Sequence, residues 1–212
     1  MSEQNPSPSV DLGDHQAARL EKLRRLEAMG IDPWGQRFDD RILNSVVREM
    51  ADQIRYVTAA GKTLVLPDLD TTTLVDGVEK PLVDYKAWKA EQGEGEETGP
   101  TVRVAGRIML MRPTGKLVFL KLRDWSGDIQ VMIGKGQVGD DNFAITKLLD
   151  FGDLVGIDGR LGRTNTGELT VHATKLHFLT KTLEPPPEKH AGLTDPELRQ
   201  RMRYVDLTYN TD

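Results

Sequence analysis

Apolar and polar positions alternate along "LVFLKLRDWSGDIQVMIG" (117–134) with the period of two that a half-buried strand requires. Val118, Leu120 and Leu122 fall on one face, and Phe119, Lys121 and Arg123 on the other. After the Ser126-Gly127 turn, Ile129, Val131 and Ile133 continue the apolar face, and Asp128, Gln130 and Met132 lie opposite. The pattern predicts a hairpin with one anomaly: a phenylalanine on the charged side.

The same alternation predicts a strand over 101–110, with Val102, Val104, Ile108 and Leu110 inward and Arg103 and Arg107 outward. "DLVGIDGRLGR" and "GELTVHATKLHFL" predict two more strands around the turn "TNTG". Between the third and fourth strands, Asp140-Asp141 cap a short helix running to about Leu149, closed by Gly152. Upstream the period changes. A helix is expected from an Asp14 cap, with Ala17, Leu20, Leu23 and Leu26 on one face and Gly30 as its stop. A second is expected over about 40–56, with Ile42, Val46, Val47, Met50 and Ile54 on one face.

Five short strands with a helix between the third and fourth is the order of an OB-fold barrel. The expected fold class is therefore mainly β, a five-stranded OB-fold barrel preceded by N-terminal helices. The segments are a disordered tail (1–13), a helical lead (14–56), an insertion and linker (57–100), the barrel (101–183) and a connector (184–212). Within 57–90 short β-branched runs broken by Pro67 and Pro81 predict a hairpin or a loose insertion, and the glycine-rich, acidic "EQGEGEETGP" (91–100) reads as a linker at a domain boundary.

In an OB-fold, nucleic acid lies on the face of strands two and three, flanked by the one–two and four–five loops. Phe119 and Gln130 share that face on adjacent strands. The ring offers a platform for an unstacked base, and the amide can both donate to and accept from a base edge. Arg112 in the first loop, with Lys121 and Arg123 beside Phe119, can meet phosphate; Arg163, a further phosphate-contact candidate, and Glu168 bracket the other lip. A single outward Phe is also ordinary protein surface, or a packing site for the leading helices.

The 212 residues carry a net charge of −5, which argues against a general DNA-coating protein. Only 101–183 is basic, with 12 Lys/Arg against 8 Asp/Glu, and solvated surface charge is the competing explanation. Cys is absent, so disulfides, thiolate nucleophiles and Cys-ligated zinc are excluded. Neither a signal peptide nor an apolar run long enough to span a membrane is present, and a cytoplasmic location is expected. "AAGKT" (59–63) fails the phosphate-loop pattern, because Tyr56 stands where its first glycine belongs. His172 and His177, five apart on a strand, are expected on opposite faces, so no metal site is assigned. No catalytic residue is assigned either.

Five stretches carry a family resemblance: "VAGRIM" (104–109), "GKLVFLKLRDWSGDIQV" (115–131), "LDFGDLVGIDGRLGRTNTGELTVHA" (149–173), "LHFLTKTLEPPPEK" (176–189) and "GLTDPELRQRMRYVDL" (192–207). In that order, and together with "MGIDPW" (29–34), they resemble class II lysyl-tRNA synthetases. The resemblance implies a domain binding the anticodon loop of tRNA(Lys), with Arg112, Phe119 and Gln130 holding the central uridine and Glu168 approaching a flanking base. It also implies a homodimer, and ATP and Mg2+ bound by a catalytic domain whose motifs do not appear here. No cofactor is expected on this chain, and it is not expected to activate lysine alone. "HAGL" (190–193) departs from the family's aromatic-His-Gly-Leu, and 57–100 matches no family pattern. Two other functions remain open: a freestanding module for single-stranded or structured RNA, and a dimerisation or protein-interaction unit.

Overall fold

The computed structural model describes residues 13–75, 78–184, 196–203 and 206–207. Most of the expected tail, residues 185–189 of the connector and the "HAGL" stretch lie outside the described residues.

In chain order the elements are α1 (Asp14–Ala28), α2 (Asn44–Glu49), β1 (Arg55–Thr58), β2 (Thr63–Val65), β3 (Thr72–Val75), β4 (Val78–Pro81), α3 (Tyr85–Gln92) and β5 (Gly95–Thr98). There follow β6 (Thr101–Thr114), β7 (Leu117–Asp124), β8 (Gly127–Gly134), α4 (Lys135–Val138), α5 (Asp140–Ile145), β9 (Leu154–Arg163), β10 (Leu169–Thr180) and α6 (Pro196–Arg201). Strands β6 to β10 close into a barrel in the order β10-β8-β7-β6-β9, antiparallel except for the β10–β8 pair. This is the OB-fold that the strand order predicts. Its interior is the alternating apolar set of the hairpin, with Val118, Leu120, Leu122, Ile129, Val131 and Ile133 all buried. Phe143, Ile145, Leu148 and Leu149, from α5 and the turn after it, join the same core.

Strand β6 departs from simple alternation. Ile108 faces Leu122, but the next aligned pair is Leu110 with Lys121, so Met109 is an extra residue, a β-bulge. Met109 is buried, and Leu110, expected inward, turns to the outer face beside Lys121. A second extra residue, Thr174, sits in β10 between Ala173 and Lys175. It puts His172 and His177 on one face, opposite Arg160 and Gly156, and not on opposite faces as simple parity has it. His177 bonds Asp158 at 2.7 Å.

The helical lead differs in detail. Helix α1 buries Arg19, Leu23 and Leu26, while Ala17 is exposed. The reason is polar: the Arg19 guanidinium donates to Thr182 O at 2.8 Å and Phe151 O at 3.1 Å. Lys22 adds an ion pair with Asp150 at 2.5 Å. Behind it Lys181, its side chain fully buried, bridges Asp150 and Asp153 at 2.6 and 2.7 Å. Burial pushes the Asp150 carboxyl up, but the ammonium groups of Lys181 and Lys22 outweigh it and hold it below the usual range. For Asp153, more deeply enclosed, burial wins over Lys181 and its pKa is raised.

The second helix is shorter than its apolar spacing suggests. α2 passes into a 3-10 turn over Met50–Gln53, and β1 begins at Arg55. Ahead of it, the Ile42 N–H donates to Arg103 O, and Val46 is left exposed.

The described residues of 57–100 are folded: β1–β2 and β3–β4 are antiparallel pairs, and 95–98, expected as linker, is a strand. β5 pairs with β1 as an edge of a three-stranded sheet in the order β2-β1-β5. An edge strand tolerates charge, which is why "GEET" reads as a linker in sequence. Gly95 is required there: a Cβ would lie 2.8 Å from the Tyr56 ring. Tyr56 and Tyr85 both pack against Trp88, with ring centroids 5.7 and 5.8 Å apart.

Candidate nucleic-acid interface

The outer face of β6, β7 and β8 brings the sequence-predicted residues together. Arg112 is directly opposite Phe119 in the β6–β7 pair, and Phe119 is opposite Met132 in the β7–β8 pair. One step along, Leu110, Lys121 and Gln130 form the neighbouring row, so Phe119 and Gln130 are diagonal neighbours. Arg112 is exposed; Phe119, Gln130 and Met132 are half-buried. Among the described residues, the contacts of the leading helices lie elsewhere. α1 docks near Phe151 and Thr182. α2 grips the far end of β7, where Asn44 donates its N–H to Asp124 and its side-chain amide to Gly127 O.

The Gln130 amide has a fixed polarity. Its Nε2 donates to Thr170 Oγ1 at 2.8 Å, and that hydroxyl donates its one hydrogen to Glu168 O at 3.0 Å. Because the hydroxyl proton is committed, Thr170 can only accept from Gln130, so the nitrogen points toward β10. Oε1 and the second N–H are left for a ligand. Thr170 is fully buried, and neither it nor Met132 was singled out in sequence as part of the site. Thr170 could have been found only from the pairing of β10 with β8, which alternation within one strand does not reveal.

The cations divide into two groups. Lys121, half-exposed, pairs with Asp128 at 3.0 Å, and Arg123 forks onto the same carboxylate at 2.6 and 2.9 Å. The hydrogen bonds from Arg123, aided by Lys121, hold the Asp128 carboxyl below its ordinary value against the opposing effect of burial. Arg163 differs from the expected phosphate contact. Its side chain is buried, forked onto Asp70 at 2.7 and 2.8 Å and bonded to Gly167 O. An arginine committed in this way cannot also reach a phosphate, because its donors face into the protein. Glu168 is exposed at the end of the β9–β10 turn, where Gly167 takes the positive φ of +88° that the reversal needs.

The arrangement is an apolar, ring-centred platform with an amide at its side, an exposed arginine at one lip and a carboxylate at the other. Residues 102–179 match the model of the OB-fold nucleic acid binding domain of the tRNA anticodon type, and the barrel belongs to that family. The relatives are more particular. The chain is 37% identical over 204 residues, 96% of its length, to the lysine-tRNA ligases of Staphylococcus aureus strains Mu3, N315 and COL. Over that stretch it is homologous to lysine-tRNA ligase. It spans about a third of the length of these curated relatives, 34% of each.

Proposed function

We propose that the barrel reads the anticodon loop of tRNA(Lys), as the anticodon-binding part of a lysine-tRNA ligase. The observation that carries this is the row of Arg112, Phe119 and Met132 beside Gln130 on one outer face. Phe119 and Met132 stack an unpaired base, Gln130 pairs with its edge, and Arg112 meets the backbone. The polarity of the amide suits uracil. Gln130 Oε1 accepts from the N3–H, and its remaining N–H donates to a ring carbonyl. Glu168, an acceptor only, suits the donor edge of a neighbouring base.

A loop presents base edges that a duplex buries, so duplex DNA does not suit this face. Lysine activation, with ATP and Mg2+, is assigned to the rest of such a ligase and not to these residues. The role is cytoplasmic and needs no membrane. Among the described residues no helix is long and apolar enough to cross one.

Titration of the chain with tRNA(Lys), a tRNA of unrelated anticodon and a poly-U oligomer tests the function. Preference for tRNA(Lys) supports it. Equal binding to poly-U would favour a general single-strand module. A homodimer is a second reading, favoured by the exposed Met29 and Trp34 where α1 ends. A stable dimer without RNA affinity, seen by sedimentation, would put that reading first.

A further inference from the structure

The small sheet and α3 close on one feature of the barrel, the β9–β10 turn. Arg163, the last residue of β9, has a side chain only 6% exposed, held between Asp70 and the turn carbonyl of Gly167. Its backbone N–H donates to Glu97 Oε2 on β5 at 2.7 Å. Lys89 of α3 reaches over to Asn165 Oδ1 in the turn at 3.0 Å and lies 3.7 Å from Glu97. Leu69 and Tyr85 lie above Gly167, each 3.6 Å from the position a Cβ would take. The turn is thus gripped from outside by residues 69–97, while inside it bonds itself through Gly167 N–H to Thr164 O and Glu168 N–H to Thr164 Oγ1.

This grip is connected to the outer face. The residue that follows Gly167 is Glu168, whose side chain is exposed at the lip of that face. Asp70 is itself 70% exposed, yet it supplies the carboxylate that pairs the buried Arg163 guanidinium, whose side chain is only 6% exposed. The hydrogen bonds from Arg163 hold that carboxyl below its ordinary value, so the pair is formed at neutral pH. What the pair does fix is the direction in which the turn leaves β9.

We propose that Asp70 and Arg163 are positioning residues for RNA binding. Residues 55–98 are a brace that holds the β9–β10 turn, and with it the Glu168 carboxylate, ready for the nucleotide beside the one at Phe119 and Gln130. A lip already ordered spares the complex the entropic cost of ordering it on binding. This rests on the RNA-reading function proposed above. It assigns the brace to the neighbouring base, not to the central one.

The test uses the full chain and the anticodon stem-loop of tRNA(Lys), with affinity read by fluorescence anisotropy. Asp70→Asn keeps the size of the side chain and one acceptor oxygen. It is expected to weaken binding roughly three- to tenfold, the worth of about one side chain's ordering. It should also speed amide exchange at Gly167 and Glu168 while leaving Val131 protected. In a Glu168→Gln background the same substitution should cost nothing further, because the brace then has no carboxylate to place. Unchanged affinity for Asp70→Asn, or an equal loss in both backgrounds, overturns the proposal while leaving RNA reading intact. Failure of the unsubstituted chain to bind the stem-loop overturns RNA reading, and the proposal with it.

Discussion

Arg112 lies directly opposite Phe119 across the β6–β7 pair because β6 carries one extra residue, Met109. Counted from Arg103 and Arg107, strict alternation would send residue 112 inward with Val102 and Val104. The bulge reverses the phase, turning Leu110 out and Met111 in, and delivers Arg112 to the face that holds Phe119.

Arg112 and Lys121 should therefore differ as phosphate contacts. Arg112→Gln should flatten the dependence of log K on log salt by about 0.7, one counterion for a single strand. Lys121→Gln should change it less, since that ammonium is already held 3.0 Å from the Asp128 carboxylate it shares with Arg123. Titrations of tRNA(Lys) across a salt series check this. Equal slopes for the two variants would contradict it.

Thr170→Val should release the Gln130 amide. With no hydroxyl to accept from Nε2, the amide can rotate, and cytosine, whose N3 is an acceptor, is no longer disfavoured against uracil. The uracil-over-cytosine affinity ratio at the central position should shrink about fivefold, the worth of roughly one hydrogen bond. Stem-loops differing at that base measure it, and an unchanged ratio would show that Thr170 does not orient the amide.

The two strands of the site were legible in sequence because β7 and β8 alternate without interruption. The bulge was not, because Ile108, Met109 and Leu110 are all apolar and a shift of phase within such a run leaves no mark. Arg163 reads in sequence as a phosphate contact at the lip because its partner Asp70 is 93 positions away, in a segment with no regular period. Arg19 escaped for a related reason. Carbonyl acceptors from distant turns leave no mark in a helical period, so the period places the apolar Ala17 on the buried face in its stead.

Lys181→Met should destabilise the barrel by about 3–5 kcal/mol, the usual cost of leaving one half of a buried pair uncompensated. Asp153, fully buried, would lose its ammonium partner. Urea unfolding at neutral pH measures this, and a midpoint equal to that of the unsubstituted chain would exclude it.

Asp128 gives a pH dependence of definite sign. Its folded-state carboxyl is held below the ordinary value of 3.8, chiefly by Arg123. The associated stability is complete above that ordinary value and is lost as pH falls through the depressed one. Asp128→Asn should lack this part of the acid-side decline, so its unfolding free energy should fall less steeply on acidification below about pH 4. Parallel acid limbs for the two proteins would refute the assignment.

The central claim concerns the exposed side of one ring. Phe119→Ala should weaken tRNA(Lys) binding by about 1–3 kcal/mol, the worth of a stacked base, with the barrel still folded by circular dichroism. A titration in which the alanine variant binds tRNA(Lys) as tightly as the unsubstituted chain would contradict the account.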